Sequence, residues 1–129
     1  PAHNARYNPS SPPRQQLTLK QKSFHLAFLN SVFSHMLTED VKFYLGEIYK
    51  LLIPGGTIYT TAFIEESVLE IEENPHGYLN EDCVGPLHRV RYEKNYLLNL
   101  FKKAGFDLIN FEYRGIKRTG QSIIVARRE

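Results

Sequence analysis

Among the five histidines and the charged side chains, those whose positions suit moving a proton or holding a polar substrate are His35, His76, and His88 with its neighbour Arg89. Imidazole titrates near neutrality, so His35 and His88 are the weak candidates for a general base or a substrate contact, and Arg89 for a contact to substrate. The plainer reading of His35 is a histidine packed on its loop, because no charged partner is visible beside it. Asn74, Asp82 and Cys83 lie near His76 and His88, but Asp82, Cys83 and His88 lack a recognised ligand spacing, so no metal centre is expected. Tyr92, Tyr96 and Tyr113 read as core or interface residues.

These groups need a scaffold, and 129 residues at 42% hydrophobic content suffice for one core. The lone Cys83 cannot form an internal disulfide, which fits a reducing cytoplasm. No apolar run approaches the roughly 18 to 20 residues that span a bilayer, and PAHNARYNPSSPPRQQ has no apolar signal-like region. A soluble, cytoplasmic protein without membrane contact is therefore expected. The 16 basic and 14 acidic residues nearly balance. Lys20 and Lys22, Lys102 and Lys103, Lys117 and Arg118, and Arg127 and Arg128 are scattered pairs, read as solvated element ends rather than a nucleic-acid surface.

Residues 1–23 are expected to be extended or mobile, with a short strand at most around Ala5 to Tyr7, since four of the seven prolines fall in the first 16 positions. FHLAFLNSVF then has no polar alternation, which predicts a strand near His25 to Asn30 covered on both faces. Thr38 precedes Glu39 and Asp40 as an N-cap, and Val41, Tyr44, Leu45, Ile48, Leu51 and Leu52 mark one apolar helical stripe. Pro54, Gly55 and Gly56 are expected to end that helix. A β-branched and aromatic strand follows from Thr57 to Ile64. Residues 65–90 read as a long, partly acidic insertion, and connections of that length are usually functional or disordered. Glu93, Leu97, Leu100, Phe101 and Ala104 mark a second helix capped by Gly105. Strands at 106–114 and 121–126 close the chain as a hairpin. The order implies an α/β sheet, mostly parallel, with a final antiparallel strand.

At this point the residues resemble a known family. Ser23 to Met36, followed by a helix and then Leu51-Leu52-Ile53-Pro54-Gly55-Gly56-Thr57, is similar to strand four, its loop and the entry to strand five of class I S-adenosylmethionine-dependent methyltransferases. Lys103-Ala104-Gly105-Phe106 resembles the approach to strand six. Gly120 to Arg127 resembles the reversed strand seven, and Asn4 to Pro9 is similar to the end of strand three in a subgroup. The resemblance covers roughly residues 4 to 128. It implies a Rossmann-like sheet, S-adenosylmethionine as cofactor, and methyl transfer to a small-molecule acceptor. Leu29, Asn30, Ser31, Val32 and Phe33 would border the cofactor, at the carboxyl edge where ligands of such sheets lie. His35, His88 and Arg89 would face the acceptor under the 65–90 insertion. Transfer from an activated sulfonium relies on positioning, so no nucleophile triad is required.

His25 stands where the family usually has Asp, and Ile53 where it usually has Lys. The chain contains no G-x-G, and the 23 residues before Phe24 are too few for a βαβ unit of about 30 or more. Residues 24–129 are thus expected to be a partial methyltransferase domain, its C-terminal part, with a cofactor site too incomplete to bind cofactor alone. The competing expectation is a non-catalytic, methyltransferase-like fragment acting through partners. Either way the apolar edge of the 24–30 strand is expected to promote self-association, unless residues 4–8 fold back on it.

Overall fold

The computed structural model describes residues 16–80 and 89–129. The expected strand near residue 5, the fold-back of residues 4–8 and the loop around Asp82, Cys83 and His88 lie outside them. Residues 16–23 carry neither helix nor strand, and Leu17 packs against the core.

The elements are β1 (Phe24–Leu29), α1 (Thr38–Leu51), β2 (Leu52–Glu65), β3 (Ile71–Glu73), β4 (Val90–Glu93), α2 (Lys94–Lys103), β5 (Phe106–Ile116) and β6 (Gln121–Arg128). Short 3-10 turns at Phe33–His35 and Tyr78–Asn80 complete them. β2 pairs with β6 antiparallel along Thr57 to Ala62. Its other edge is shared, with β1 parallel to it along Thr57 to Thr60 and β4 parallel to it along Phe63 to Glu65. β3 pairs antiparallel with β4, and β5 with β6. Hence β1, β2, β4 and β5 run one way while β3 and β6 run against them, the mixed sheet with a reversed final strand that the element order implied. The 65–90 segment is not wholly an insertion, because β3 and the start of β4 extend the sheet. Both were too short for a periodicity to reveal.

Both helices feed one apolar cluster. Val41, Leu45 and Ile48 of α1 and Leu97, Leu100 and Phe101 of α2 pack with Ile58, Ala62, Ile64, Ile124 and Ala126 of the sheet. These sheet positions alternate along each strand, so they share one face. β1 departs from expectation: it is not covered on both faces. Leu26 and Phe28 are 56% and 65% exposed on the opposite face, where Phe28 stacks on Tyr59 with ring centroids 4.8 Å apart. The unbroken apolar run signalled burial, but no described helix crosses that face.

The helix ends also correct the sequence reading. Leu37 occupies the N-cap of α1 without a side-chain bond, and the Thr38 hydroxyl instead lies 3.1 Å from that of Tyr96 on α2. Glu39 and Asp40 do occupy the first turn, where the helix dipole favours them. At the other end α1 passes straight into β2 at Leu52, before the Pro-Gly-Gly turn, and Gly55 adopts its left-handed φ of 81° inside β2. Four carbonyls lose intrahelical partners at such an end. The Ile48 carbonyl accepts from Leu52 N–H, those of Lys50 and Leu51 accept from the backbone N–H groups of Lys22 and Ser23 at 2.9 Å, and that of Tyr49 accepts from Arg128 Nη1 at 2.7 Å. Arg128 Nη1 also donates to the Leu52 carbonyl, and its guanidinium lies 4.1 Å from the Tyr49 ring centroid. The last strand therefore caps the first helix with a nearly buried cation. At α2, Glu93 accepts from Tyr96 N–H at 2.8 Å as N-cap, and Gly105 takes φ of 100° as expected. A Cβ there would come within 2.5 Å of the Tyr49 ring.

Arg128→Met keeps much of the stem and removes the carbonyl bonds and the charge. It is expected to lower unfolding free energy by about 2 kcal/mol in urea titrations. A loss indistinguishable from zero would show that the cap is dispensable.

Candidate functional site

The site is built where one edge of β2 changes partner. β1 ends at Leu29, β4 begins at Val90, and between them the chain after β1 turns out of the sheet. Ser31 makes that turn with φ of 58°, a left-handed conformation uncommon for a residue with a Cβ. A closed ring of hydrogen bonds holds it. Ser31 N–H donates to Thr61 Oγ1 at 2.8 Å, the Thr61 hydroxyl donates to Gln121 Oε1 at 2.9 Å, and Gln121 Nε2 donates to Ser31 Oγ at 2.8 Å. Thr61 and Gln121 are buried and Ser31 is half-buried, so the ring joins the carboxyl ends of β1 and β2 to the start of β6. With its Oγ accepting from Gln121, Ser31 retains its own hydroxyl proton for donation.

Two cavities flank this turn. An apolar groove of about 350 Å³ runs along β1 and α1 and includes Leu29, Val32, Phe28 and Tyr44. A wider pocket of about 570 Å³ lies on the other side, bounded by Ser31, His35, Phe63, Arg89 and the β5–β6 turn from Lys117 to Gln121. The sequence-derived candidates thus divide. Ser31, His35 and Arg89 meet around the pocket, Leu29 and Val32 line the groove, and Asn30 is exposed between them. Phe33 is wholly buried and packs edge-on against Phe101 at 6.1 Å, as a core residue does. His76 is exposed and lines neither cavity, and His88 lies outside the described residues. Tyr92 is buried and donates to the Met36 carbonyl at 2.7 Å. Among the described residues no group of three His, Cys, Asp or Glu is placed to hold a metal.

Backbone bonds to Asn74 and a ring contact help to place Arg89. Its N–H donates to Asn74 Oδ1 at 3.0 Å, its carbonyl accepts from Asn74 N–H at 2.6 Å, and its guanidinium lies 4.3 Å from the Phe63 ring centroid. Thr61, Gln121, Lys117 and Arg118 were not singled out for the site by the sequence reading, which placed Lys117 and Arg118 among solvated ends. The topology contained a signal for them: β5 points the same way as β2, so the loop after β5 returns to the same edge as the loops after β1 and β2.

Beside the pocket, Glu65 ends β2 as the hub of a second cluster. It accepts from Tyr78 and Tyr113 hydroxyls, both at 2.6 Å, and from Arg114 at 2.9 and 3.1 Å. Burial raises the Glu65 pKa, but the bonds from Tyr113, Tyr78 and Arg114 outweigh it and hold the carboxyl below its ordinary value. Burial and the adjacent carboxylate push the Tyr78 phenol well above its ordinary value.

The family model described as "Methyltransferase domain" matches residues 11–60. The fold is that of the class I S-adenosylmethionine-dependent methyltransferases. Similar solved structures include the Burkholderia thailandensis 1,6-didemethyltoxoflavin-N1-methyltransferase, crystallised with 1,6-didemethyltoxoflavin and S-adenosylhomocysteine, at 19% identity and a TM-score of 0.61 over 84% of this chain and 45% of that one. A Methanosarcina mazei S-adenosylmethionine-dependent methyltransferase matches at 15% identity and 0.62, over 87% and 62%. The [4+2]-cyclase SpnF matches at 15% and 0.63, over 96% and 59%. The chain spans between 45% and 62% of the length of these three structures. The resemblance that the Pro-Gly-Gly and Ala-Gly-Phe segments carried thus holds for the α/β fold, and the family model matches the part of the chain that contains the Pro-Gly-Gly turn.

Glu65 links the cluster to pH. Its lowered folded pKa contributes stability that is present above the unfolded carboxyl value, near 4.3, and is lost as pH falls through the folded value. Glu65→Gln is expected to unfold about 1–2 kcal/mol more easily than the native protein at pH 7. That gap should close below about pH 4. A pH-independent gap in chemical denaturation would remove the carboxylate from the explanation.

Proposed function

We propose that this chain takes part in S-adenosylmethionine-dependent methyl transfer to a small-molecule acceptor. The Ser31 turn carries the reading: a strained backbone held by a closed hydrogen-bond ring at the carboxyl ends of β1 and β2, with a cavity on each side. Leu29 and Val32 offer an apolar wall for an adenosyl group, with Asn30 and Ser31 adding polar atoms beside it. Neither cavity has a described Asp or Glu in its lining to take ribose hydroxyls, and the chain has no G-x-G turn for close backbone approach. These residues therefore fit one wall of the cofactor, and the rest of the grip comes from outside the described residues.

When bound, the cofactor supplies an activated methyl on sulfur. The chain's task is to hold an acceptor lone pair in line with it and to exclude water. In this reading the pocket lined by Ser31, His35 and Arg89 receives the acceptor. His35 accepts the acceptor's proton, and the Ser31 hydroxyl orients a polar group on it. His88 and Phe33, named with these residues from the sequence, add no described contact to the reading.

The exposed outer side of β1 favours a second reading, in which the same fold serves association. Phe24, Leu26 and Phe28 are exposed next to an apolar groove, and an uncovered strand of this composition templates pairing. The two readings are compatible, since a chain completing the groove would also complete the cofactor wall.

Titration of the 129-residue protein with S-adenosylhomocysteine is expected to shift the backbone amide signals of residues 29–33 with an affinity of about 1 mM, equivalent to roughly 4 kcal/mol. Micromolar binding would show that the cofactor grip is already whole, and unchanged signals at 29–33 would sink the placement. In sedimentation velocity at tens of micromolar, self-association is expected for the native protein and not for Phe28→Lys. A monomeric native protein would refute the second reading.

A further inference from the structure

The wider pocket has a feature that methyl transfer as such does not demand. Its described lining contains four guanidinium or ammonium side chains, Arg89, Arg114, Lys117 and Arg118, and no carboxylate. A protein carrying 16 basic and 14 acidic residues gives no reason for such one-sided charge in one cavity. We propose that the methyl acceptor is a small molecule bearing an oxyanion, a carboxylate or a phosphate, bound through Lys117 and Arg118 of the β5–β6 turn. This rests on the methyltransferase reading of the pocket and adds the acceptor's chemical class to it.

The four cations are not equivalent. Arg114 is committed to Glu65, whose carboxylate accepts two of its N–H bonds and neutralises it. Arg89 is fixed by its Asn74 bonds and its position over Phe63, so its charge is not part of the proposed anion site. Lys117 and Arg118 sit on a tight turn in which the N–H groups of Thr119 and Gly120 both donate to the Ile116 carbonyl, at 3.3 and 2.8 Å. Among the described residues neither has an ion pair. The turn therefore presents two charges from a short, hydrogen-bonded loop, and a guanidinium is suited to paired contacts with a carboxylate or phosphate.

The placement suits an acceptor handle better than a diffuse electrostatic surface. Ser31 and His35 lie on the β1 side of the cavity and Lys117 and Arg118 on the β5–β6 turn. An acceptor anchored by its anion at the turn would extend its reacting atom toward Ser31 and His35, where the cofactor wall begins. The cavity volume of about 570 Å³ matches a small molecule. Phe63 and Leu79 in the lining offer apolar contact to the body between the two ends.

The test uses the isotope-labelled 129-residue protein, titrated separately with sodium phosphate and sodium benzoate at ionic strength held constant with chloride. Each effective anion is expected to shift the amides of Arg118, Thr119, Gly120 and Gln121 saturably. The Lys117→Gln/Arg118→Gln double variant should weaken binding about five-fold or more, while Lys42→Gln, on α1 and paired with Glu39, should leave it unchanged. A response to benzoate alone assigns a carboxylate acceptor, to phosphate alone a phosphorylated one, and to both the shared oxyanion. No saturable shift with either anion, or a double variant that titrates like the native protein, overturns the proposal. No cofactor is present, so saturable anion binding alongside failed S-adenosylhomocysteine binding would overturn the methyl-transfer reading separately.

Discussion

Everything in this molecule is arranged around a strand whose hydrogen-bonding needs no single neighbour meets. β2 runs for 14 residues, and β1 accompanies one edge only as far as Thr60. Left there, the peptide groups near Phe63 and Ile64 would be buried without ladder partners, which is costly in an apolar interior. β4 takes over that edge at Phe63. The change of partner opens a gap in the sheet at the carboxyl end of β1, and the gap is where the Ser31 turn, His35 and Arg89 meet. A requirement of backbone pairing thus creates the recess that chemistry can use.

The recess is shaped because distant parts of the chain close it. Gln121 is 90 residues from Ser31, yet it supplies both an acceptor for Thr61 and a donor for Ser31. Arg128, 79 residues from Tyr49, satisfies a carbonyl at the end of α1 in a similar way. Both contacts originate on β6, the reversed strand, which lies beside β2 and so can reach the polar ends of β2's neighbours. The antiparallel strand is therefore a brace across the sheet as well as its near-final layer. Glu65 has a comparable role at the end of β2, drawing Tyr78, Tyr113 and Arg114 onto one carboxylate.

Much of this was legible in order of sequence. The apolar stripes of α1 and α2, the β-branched run of β2, the glycine after α2 and the closing hairpin are local signals, and each produced its element. The segments resembling methyltransferases point to the same sheet. What local signals missed had physical causes. β3 and the start of β4 are too short to show a period, and FHLAFL reads as buried although one side of β1 is uncovered. The expected Pro-Gly-Gly cap of α1 failed because carbonyls at a helix end can be satisfied by whatever donors the fold brings near, here Lys22, Ser23 and Arg128.

The sequence by itself determined the alternation of helices and strands, because side-chain periodicity and turn chemistry act over a few residues. It also determined that a turn with Asn30 and Ser31 would follow β1 at the carboxyl edge of the sheet. Only the tertiary structure decided what stands opposite that turn. Lys117 and Arg118 looked like an ordinary solvated pair, and became part of a cationic pocket because β5 points the same way as β2 and returns its loop to the same edge. Charge near a site depends on distance through space, and strand direction set that distance.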